Sequence, residues 1–326
     1  IAYSSYRRGR VPLISSIFQP LFGSRATDGP LGKLIDVMAL IATLFGTAAT
    51  LGLSAIQIGE GVSIIRGAGP MTNSALIIVI AVLGCAFIVS AVSGVARGVR
   101  YLSNFNITLT LGLIAFVFLV GPTLLLLNLI PSGIVTYIDQ FLPMMAKGMS
   151  WGDETIEFQS YWTAFYWAWW IAWTPFVGMF VARISRGRTL RQFIFGTLTF
   201  PFLFILMWMS FFGNTALDMV RSGDYPEFAE NAINVPEKGF SDMLHEFPGS
   251  GIVIFLTTFI GLLLYITSAD SGALVMSNFT SRITDNRQDG ARWLRIFWSV
   301  TVGALTLALL QIDGIATVQS ATVVMG

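Results

Sequence analysis

Long stretches of apolar residues alternate with short polar segments along this 326-residue chain. A helix needs about 20 apolar residues to cross roughly 30 Å of hydrocarbon, so each long stretch predicts a membrane span. Seven complete spans are predicted, at about 35–58, 75–95, 106–130, 161–182, 192–213, 251–278 and 296–311. An eighth is expected to begin near Ile315. The first residues carry no initiator Met and no signal-peptide pattern, so we expect a piece of a longer chain with helices missing at both ends.

Two stretches between the predicted spans have a different pattern. In residues 131–150, apolar side chains recur at nearly helical spacing, but the polar face is thin and the stretch is too short to span. This pattern predicts an amphipathic helix on the membrane surface. Residues 214–250 are acidic and contain the turn sequences DYPEF and VPEKGF, which predicts an external, water-exposed loop with room for one short helix.

Composition narrows the class of protein. Hydrophobic residues make up 54% of the chain and charged residues only 11%, against about 25% charged in soluble domains, which excludes an ordinary cytosolic enzyme. The single Cys and single His exclude a disulfide framework and a multi-histidine or cysteine metal site. A net charge of +1 gives no electrostatic footprint for nucleic acid.

The distribution of Lys and Arg predicts the orientation of the spans. If the loop at residues 7–10 is cytoplasmic and the spans alternate, 15 of the 19 basic residues fall on the same side. Most acidic residues fall on the opposite side. Because Lys and Arg concentrate in short cytoplasmic loops, we expect a multi-pass protein of the cell membrane whose Arg-rich loops, such as residues 183–191 and 282–295, face the cytoplasm.

The predicted span at 161–182 is unusually rich in tryptophan, and its Trp residues extend well beyond the ends where interfacial Trp normally lies. Trp169, Trp173 and Phe176 share one helical face, with Trp170 beside it. Pro175 predicts a kink or an opening at mid-span, where transporters bind substrate. Aromatic faces attract a quaternary ammonium group through the ring quadrupole. An interfacial belt combined with aromatic packing is the alternative interpretation.

Two sets of hydroxyl groups lie inside predicted spans. Thr43 and Thr47 are spaced i, i+4 and could supply two oxygens to Na⁺, a hard cation; alternatively, each could bond its own helix. Thr267 and Ser268 could form a second cation site with a backbone carbonyl, or they could serve helix packing. Asp270, the acid firmly inside a span, is then either functional or bonded to a neighbouring helix.

The stretch WAWWIAWTPFVGMFVARISRGRT resembles the signature of the betaine/choline/carnitine transporter family. The resemblance continues through ATLFGT, SAVSGVARGVRYLSN and ITSADSGALVMSNFTS and covers nearly the whole chain. It implies an all-α polytopic membrane protein with a LeuT-like fold of two inverted five-helix repeats preceded by two helices. Of the twelve spans of such a transporter, this chain would hold about seven complete ones.

The resemblance also implies roles for single residues. Trp170 would stack on the quaternary ammonium group of the substrate. The other aromatic residues implied along the substrate pathway are Trp169, Trp173, Phe165 and Phe180. One sodium site would be formed by Thr43, Thr47 and Phe176, and the other by Thr267, Ser268 and the carbonyl of Leu264. The helix at 131–150 resembles the element through which family members form trimers.

Together these observations predict a secondary active transporter, not an enzyme, that imports glycine betaine or choline on a cation gradient, with sodium as the coupling ion and no other cofactor. Its expected partners are the quaternary ammonium substrate, Na⁺ or H⁺, membrane lipid and two further copies of itself, with no nucleic acid. A proton-coupled choline importer and a carnitine exchanger are alternatives. A membrane-embedded transferase is an alternative of another class, although one His and one Cys offer little to build its active site.

Overall fold

The computed structural model describes residues 1–67, 72–93, 96–148, 156, 158–282 and 289–325. All regular secondary structure within these residues is helical. The helices are α1 (Ala2–Arg8), α2 (Gln19–Thr27), α3 (Pro30–Ile65), α4 (Asn73–Ser93), α5 (Ala96–Val120), α6 (Thr123–Gly148), α7 (Phe165–Ile184), α8 (Leu190–Trp208), α9 (Asn214–Ser222), α10 (Pro226–Asn234), α11 (Pro236–His245), α12 (Ser250–Thr280) and α13 (Arg292–Met325). Single turns of π-helix, Gln159–Ala164 and Met209–Gly213, lead into α7 and out of α8.

Six helical stretches within the described residues are long and apolar enough to cross a membrane. They are Pro30–Ile65, Tyr101–Val120, Thr123–Ala146, Leu190–Ser222, Ser250–Thr280 and Arg292–Ile312. The prediction of an all-α polytopic membrane protein is therefore confirmed. In α13, Gly314 adopts a left-handed conformation with φ 54° between the seventh predicted span and the expected start of the eighth.

Helix α3 lies at the centre and packs against α12, α13 and α7. Small residues make this packing close, as is common where helices meet in membranes: Ala48, Ala49 and Ala55 of α3 are fully buried in one cluster with Ala269 and Ala273 of α12. A Cβ atom on Gly61 of α3 would lie only 2.1 Å from Oγ1 of Thr258 on α12. No side chain larger than hydrogen fits there at this helix separation.

The predicted span at 106–130 is wrong at its C-terminal boundary. Helix α5 ends at Val120, because Pro122 lacks an amide proton and disfavours helical geometry at Gly121. The rest of that span joins the predicted surface segment in one helix, α6, which continues through Pro131 and Pro143. Residues 149–150 of that segment lie outside the described residues. Only 6% of the most apolar part of α6 is buried, and its location on the membrane surface stays a prediction.

Residues 214–250 contain more structure than the single short helix expected. Helices α9, α10 and α11, which we call the cap, fill most of this segment, and Pro226 and Pro236 each occupy the first helical position, where proline is favoured. The cap buries Met219, Phe228 and Met243 in a cluster with residues of α5 and α12. Because these apolar residues are buried, the segment is a packed layer and not an open loop. The sequence did not indicate this, because the segment as a whole is acidic.

Candidate functional site

The Trp-rich helix α7 is attached to α3 through the N–H groups of two indole rings. Nε1 of Trp169 donates to Oγ1 of Thr50 over 3.0 Å. Nε1 of Trp173 donates to the same oxygen over 3.0 Å and to the carbonyl oxygen of Gly46 over 3.1 Å. The Thr50 hydroxyl in turn donates to the Gly46 carbonyl over 2.9 Å. A hydroxyl has one proton and two lone pairs, so all three bonding positions of Thr50 are used.

Glycine at position 46 permits this approach of the two helices. A Cβ atom there would lie 2.9 Å from Cβ of Ala172 and 3.1 Å from Cδ1 of Trp173. Both distances are shorter than normal contacts between carbon atoms, which are about 3.5–4.0 Å. Gly46 therefore lets Trp173 come close enough to α3 for its N–H to reach the Gly46 carbonyl.

Four of the predicted aromatic residues form a column along this face of α7. The rings of Phe165 and Trp169 are stacked, with centroids 5.3 Å apart and planes at 21°. Those of Trp173 and Phe176 meet edge to face, with centroids 5.3 Å apart. Phe165 and Phe176 are buried at the two ends of the column. The structure thus places Trp169, Trp173 and Phe176 on one face, as their spacing predicts, and adds Phe165, which only the family resemblance had implied.

Trp170 and Phe180 lie apart from this column. Trp170 is 60% exposed and Phe180 is 38% exposed. An indole with this exposure has ring surface available to a ligand, whereas the Trp169 ring is already covered on one side by Phe165. The roles of Trp170 and Phe180 toward the substrate stay predictions.

Of the kink or opening expected at Pro175, the opening is absent. Helix α7 is helical from Phe165 to Ile184 with Pro175 in its interior. The hydroxyl of Thr174, the residue before the proline, donates to the carbonyl of Trp170 over 2.9 Å. The departure from α geometry lies one turn before α7, in the π turn Gln159–Ala164; such turns are frequent at functional sites.

The hydroxyls of Thr43 and Thr47 on α3 were expected either to serve as Na⁺ ligands or to bond their own helix, and the two residues differ in this respect. Thr43, which is buried, donates to the carbonyl of Ala39 over 2.7 Å, so its proton serves its own helix. Thr47 is also buried and lies against α12: a Cβ atom on Gly272 would be 3.2 Å from its Oγ1. Within the described part of the chain, the Thr47 hydroxyl has no hydrogen-bond partner, which leaves its oxygen available to a ligand.

The hydroxyls of α12 show the same division. Thr267 donates to the carbonyl of Leu263 over 2.9 Å, with a longer contact of 3.2 Å to that of Leu264. Ser268 makes no hydrogen bond with any residue that the structure describes. Each predicted cation pair therefore combines one hydroxyl that is bonded to its own helix with one that is unpaired.

Asp270 pairs with a neighbouring helix. It is 5% exposed and forms an ion pair with Arg295 of α13. This contact agrees with the alternative in which the intramembrane acid is bonded across to another helix. A second ion pair joins Arg183, at the end of α7, to Asp289 in the connection between α12 and α13. Residues 283–288 of that Arg-rich connection lie outside the described residues.

Comparison with known families identifies the family of this chain. The profile of a family described as BCCT, betaine/carnitine/choline family transporter, matches residues 1–326. The chain belongs to the betaine/carnitine/choline transporter family. The resemblance read from the Trp-rich stretch is confirmed. Because this is a family of transporters and not of enzymes, the alternative of a membrane-embedded transferase is wrong.

Curated members of the family are closely similar to this chain. It is 52% identical over 96% of its length to the betaine/ectoine transporter LcoP of Corynebacterium glutamicum. It is 44% identical over its whole length to the high-affinity choline transport protein of Escherichia coli, and 36% identical over 99% of its length to the glycine betaine transporter OpuD of Bacillus subtilis. The chain spans 49%, 48% and 61% of these three proteins.

Two residues that make contacts described above, Thr50 and Arg295, were missed by sequence reasoning. Thr50 lies in the same apolar stretch as Thr43 and Thr47 but was not singled out. A partial signal did exist, since buried indole N–H groups need acceptors, but several hydroxyls of the spans could have served equally well. Arg295 was counted only as a cytoplasmic charge, and nothing in its sequence context indicates that it pairs with Asp270.

Proposed function

We propose that the full-length protein is a secondary active transporter that imports a quaternary ammonium osmolyte, glycine betaine or choline, across the cell membrane. The observation that carries this proposal is the aromatic face of α7, where two indoles are oriented by hydrogen bonds to α3 and a third, Trp170, remains exposed. The names of the relatives support it, since betaine and choline are the compounds they carry.

The chemistry of the site suits such a substrate. A quaternary ammonium group has no N–H to donate, so hydrogen-bond acceptors add little to its binding. Each aromatic face, in contrast, contributes roughly 0.5–2 kcal/mol of binding free energy. The N–H groups of Trp169 and Trp173 are already used by Thr50 and Gly46. Their rings are therefore fixed in orientation and offer the substrate mainly their π surfaces.

Coupling to sodium is part of the proposal. Na⁺ is a hard cation that prefers oxygen ligands, and the unpaired hydroxyls of Thr47 and Ser268 lie on the two central helices α3 and α12. Thr43, Phe176, Thr267 and the Leu264 carbonyl complete the two proposed sites. In a symporter, substrate and ion raise each other's affinity by the same factor. Proton coupling, and exchange of carnitine, remain the alternatives to be tested.

We further propose the orientation and the assembly. The Arg-rich connections would face the cytoplasm, in accordance with the positive-inside rule, and the cap would then be external. Helix α6 would join three copies, because it is almost unburied in the single chain and exposes large apolar side chains. Those most exposed after Pro131 include Val135, Ile138, Leu142 and Met144.

The test is uptake by the full-length protein in proteoliposomes. Labelled glycine betaine, choline and carnitine are each offered under an inward Na⁺ gradient, under a pH gradient without Na⁺, and with no gradient. We expect concentrative uptake of glycine betaine or choline under the Na⁺ gradient alone. Equal uptake on the pH gradient without Na⁺ would refute sodium coupling, and uptake only by exchange for internal carnitine would refute import on an ion gradient.

A further inference from the structure

A groove runs along the surface between α5 and α12, and none of the residues that line it belongs to α7. Its volume is about 370 Å³. It extends from Pro248, just before α12, to Leu256, and on α5 from Thr108 to Phe116. Both helices contain stretches that are long and apolar enough to cross a membrane. The groove, which we call the α5–α12 groove, therefore lies where hydrocarbon surrounds the protein.

The two ends of the α5–α12 groove are closed by contacts between aromatic rings. At one end, Phe105 of α5 meets Phe259 of α12 edge to face, with ring centroids 6.4 Å apart. At the other end, Phe116 packs against Phe247, which leads into α12, with centroids 6.0 Å apart. Gly112 lies between these contacts, and a Cβ atom added to it would lie in open space. The missing side chain thus leaves a gap between two helices that are held together on either side of it.

The walls of the α5–α12 groove are apolar. Leu113 and Val253 line it and are buried, whereas Ile252 lines it and is 71% exposed, so the groove has a closed floor and an open rim. Of the described residues that line it, Thr108 alone has a polar side chain, and its hydroxyl donates to the carbonyl of Asn104 over 3.0 Å. A buried water needs two to four polar partners. The walls therefore favour an apolar ligand over water.

The dimensions of the groove favour a slender ligand. Eight residues of helix measure about 12 Å, so a volume of about 370 Å³ corresponds to a mean cross-section of about 30 Å². An α-helix with its side chains is about 10–12 Å across, a cross-section of roughly 80–110 Å². A further helix, from this chain or from a second copy, would therefore lie over the groove without entering it. A single acyl chain is narrow enough to lie inside.

The length of the groove matches one leaflet of a membrane. One end lies at Pro248 and Gly249, where the polar cap gives way to the apolar helix α12, so this end is at the edge of the hydrocarbon. From there the groove runs about 12 Å along α12, and half of a hydrocarbon core measures about 15 Å. An acyl chain that enters from the headgroup region on the cap side would occupy the groove along its whole length.

We propose that the α5–α12 groove is a lipid-binding site that holds one acyl chain of a phospholipid from the leaflet on the cap side. The chain fills the space beside Gly112 and supplies dispersion contacts that Leu113 and Val253 would lack above an empty groove. It thereby joins α5 to α12, the helix that carries Ser268. The lipid site does not depend on the substrate or the coupling ion proposed above.

The test is photo-crosslinking of the full-length protein in detergent. The probe is a trace of phosphatidylcholine that carries a diazirine in the middle of one acyl chain, with increasing unlabelled phosphatidylcholine as competitor. Mass spectrometry identifies the labelled peptides. We expect labelling of residues 108–116 and 248–256 that the competitor removes at a saturating concentration. Absence of such labelling in the unaltered protein would mean that another segment or another copy covers the groove, and would overturn the lipid site.

Two glycine variants make a matched pair for this measurement. Gly112→Leu fills the groove and should lose most of the competed labelling, whereas Gly84→Leu should keep it, because Gly84 of α4 also has open space around its Cβ position but lies outside the groove. Added phosphatidylcholine should also raise the unfolding temperature of the unaltered protein and of Gly84→Leu, since a ligand stabilises the folded state that binds it, and should raise that of Gly112→Leu less.

The smaller change Gly112→Ala keeps the proposal testable if the leucine variant does not fold. It should lose part of the competed labelling, because one methyl group fills part of the groove. Competed labelling that is equal in the unaltered protein and in the folded Gly112 variants would overturn the lipid site. Uptake of glycine betaine or choline, measured separately, tests the proposed function, and its failure would leave the lipid site standing.

Discussion

Replacing Thr50 by valine is the sharpest test of how the aromatic site is held. Valine has nearly the shape of threonine but no hydroxyl, so the change removes the acceptor of two indole N–H groups without leaving a large cavity. Trp173 keeps its bond to the Gly46 carbonyl. Trp169 loses the partner seen here, and its N–H is left facing a methyl group.

The size of the expected loss of substrate binding follows from these contacts. An unsatisfied donor in a buried position costs about 1–3 kcal/mol, and since Trp169 is only partly buried we expect the lower half of that range. If the Trp169 ring rotates so that its N–H finds another acceptor, this cost is avoided, but the face of the ring is no longer oriented toward the substrate. A loss of about 1–2 kcal/mol corresponds to roughly 5- to 30-fold weaker substrate binding.

The assay is titration of the full-length protein with substrate, followed by tryptophan fluorescence, beside thermal unfolding in detergent. Thr50→Ser keeps the oxygen and should bind within about twofold of the unaltered protein, because the hydrogen bonds survive. Thr50→Val should bind more weakly while its unfolding temperature falls by only a few degrees. Equal affinity in Thr50→Val and Thr50→Ser would show that the indole hydrogen bonds do not position the site.

Four further predictions follow from the structure. Trp170→Leu should weaken substrate binding roughly 5- to 30-fold in a fluorescence titration, and Trp170→Phe less, because one exposed aromatic face is lost or reduced; equal affinity in the leucine variant would remove this residue from the site. Asp270→Asn should destabilise the protein by about 3–5 kcal/mol in denaturant unfolding, since it leaves the charge of Arg295 without its partner; a double variant with Arg295→Gln should recover part of this loss, and its failure to do so would mean that the pair is not the cause. Phe141→Ser should shift the detergent-solubilised complex from trimer toward monomer on light scattering, because this side chain is exposed on α6; an unaltered mass would contradict the proposed contact. Ser268→Ala should raise the Na⁺ concentration needed for half-maximal uptake and lower substrate affinity at low Na⁺ in parallel, with recovery at saturating Na⁺; an unchanged Na⁺ dependence would exclude this hydroxyl as a ligand.

The sequence predicts the spans well where length and apolar composition decide, and poorly where proline and packing decide. The central spans around α3 and α12 are continuous apolar runs, and both are found as long helices. At Pro122 the apolar run continues, yet α5 ends at Val120 because the backbone cannot remain helical there. In the cap the mean composition is polar, while the few apolar residues that bury against α5 and α12 are what make it fold.

The candidate site shows more clearly which features can be predicted from the sequence and which cannot. Three of the four residues of the aromatic column on α7, Trp169, Trp173 and Phe176, share a face because of their helical spacing within a single segment, so their grouping could be predicted. The bonds from Trp169 and Trp173 to Thr50 join residues 119 and 123 positions apart, and they depend on the rotation and register of two helices. Those in turn depend on Gly46, whose missing side chain permits the approach. No local pattern contains that information.

The position of Thr50 also connects the two halves of the proposed mechanism. Thr47, the unpaired hydroxyl proposed as a sodium ligand, lies three residues before Thr50 on α3, so the two are neighbours on one rigid helix. Thr47 contacts the surface of α12, while Thr50 holds the indoles of α7. An ion bound between α3 and α12 would therefore stabilise one position of α3, the helix that orients the aromatic rings. A substrate held by those rings would stabilise the position of the same helix, which carries the ion's ligand. Such a shared rigid element is what the reciprocal linkage of ion and substrate requires, and it explains why we expect Thr50→Val to weaken the Na⁺ dependence of substrate binding although Thr50 itself is not proposed as a sodium ligand.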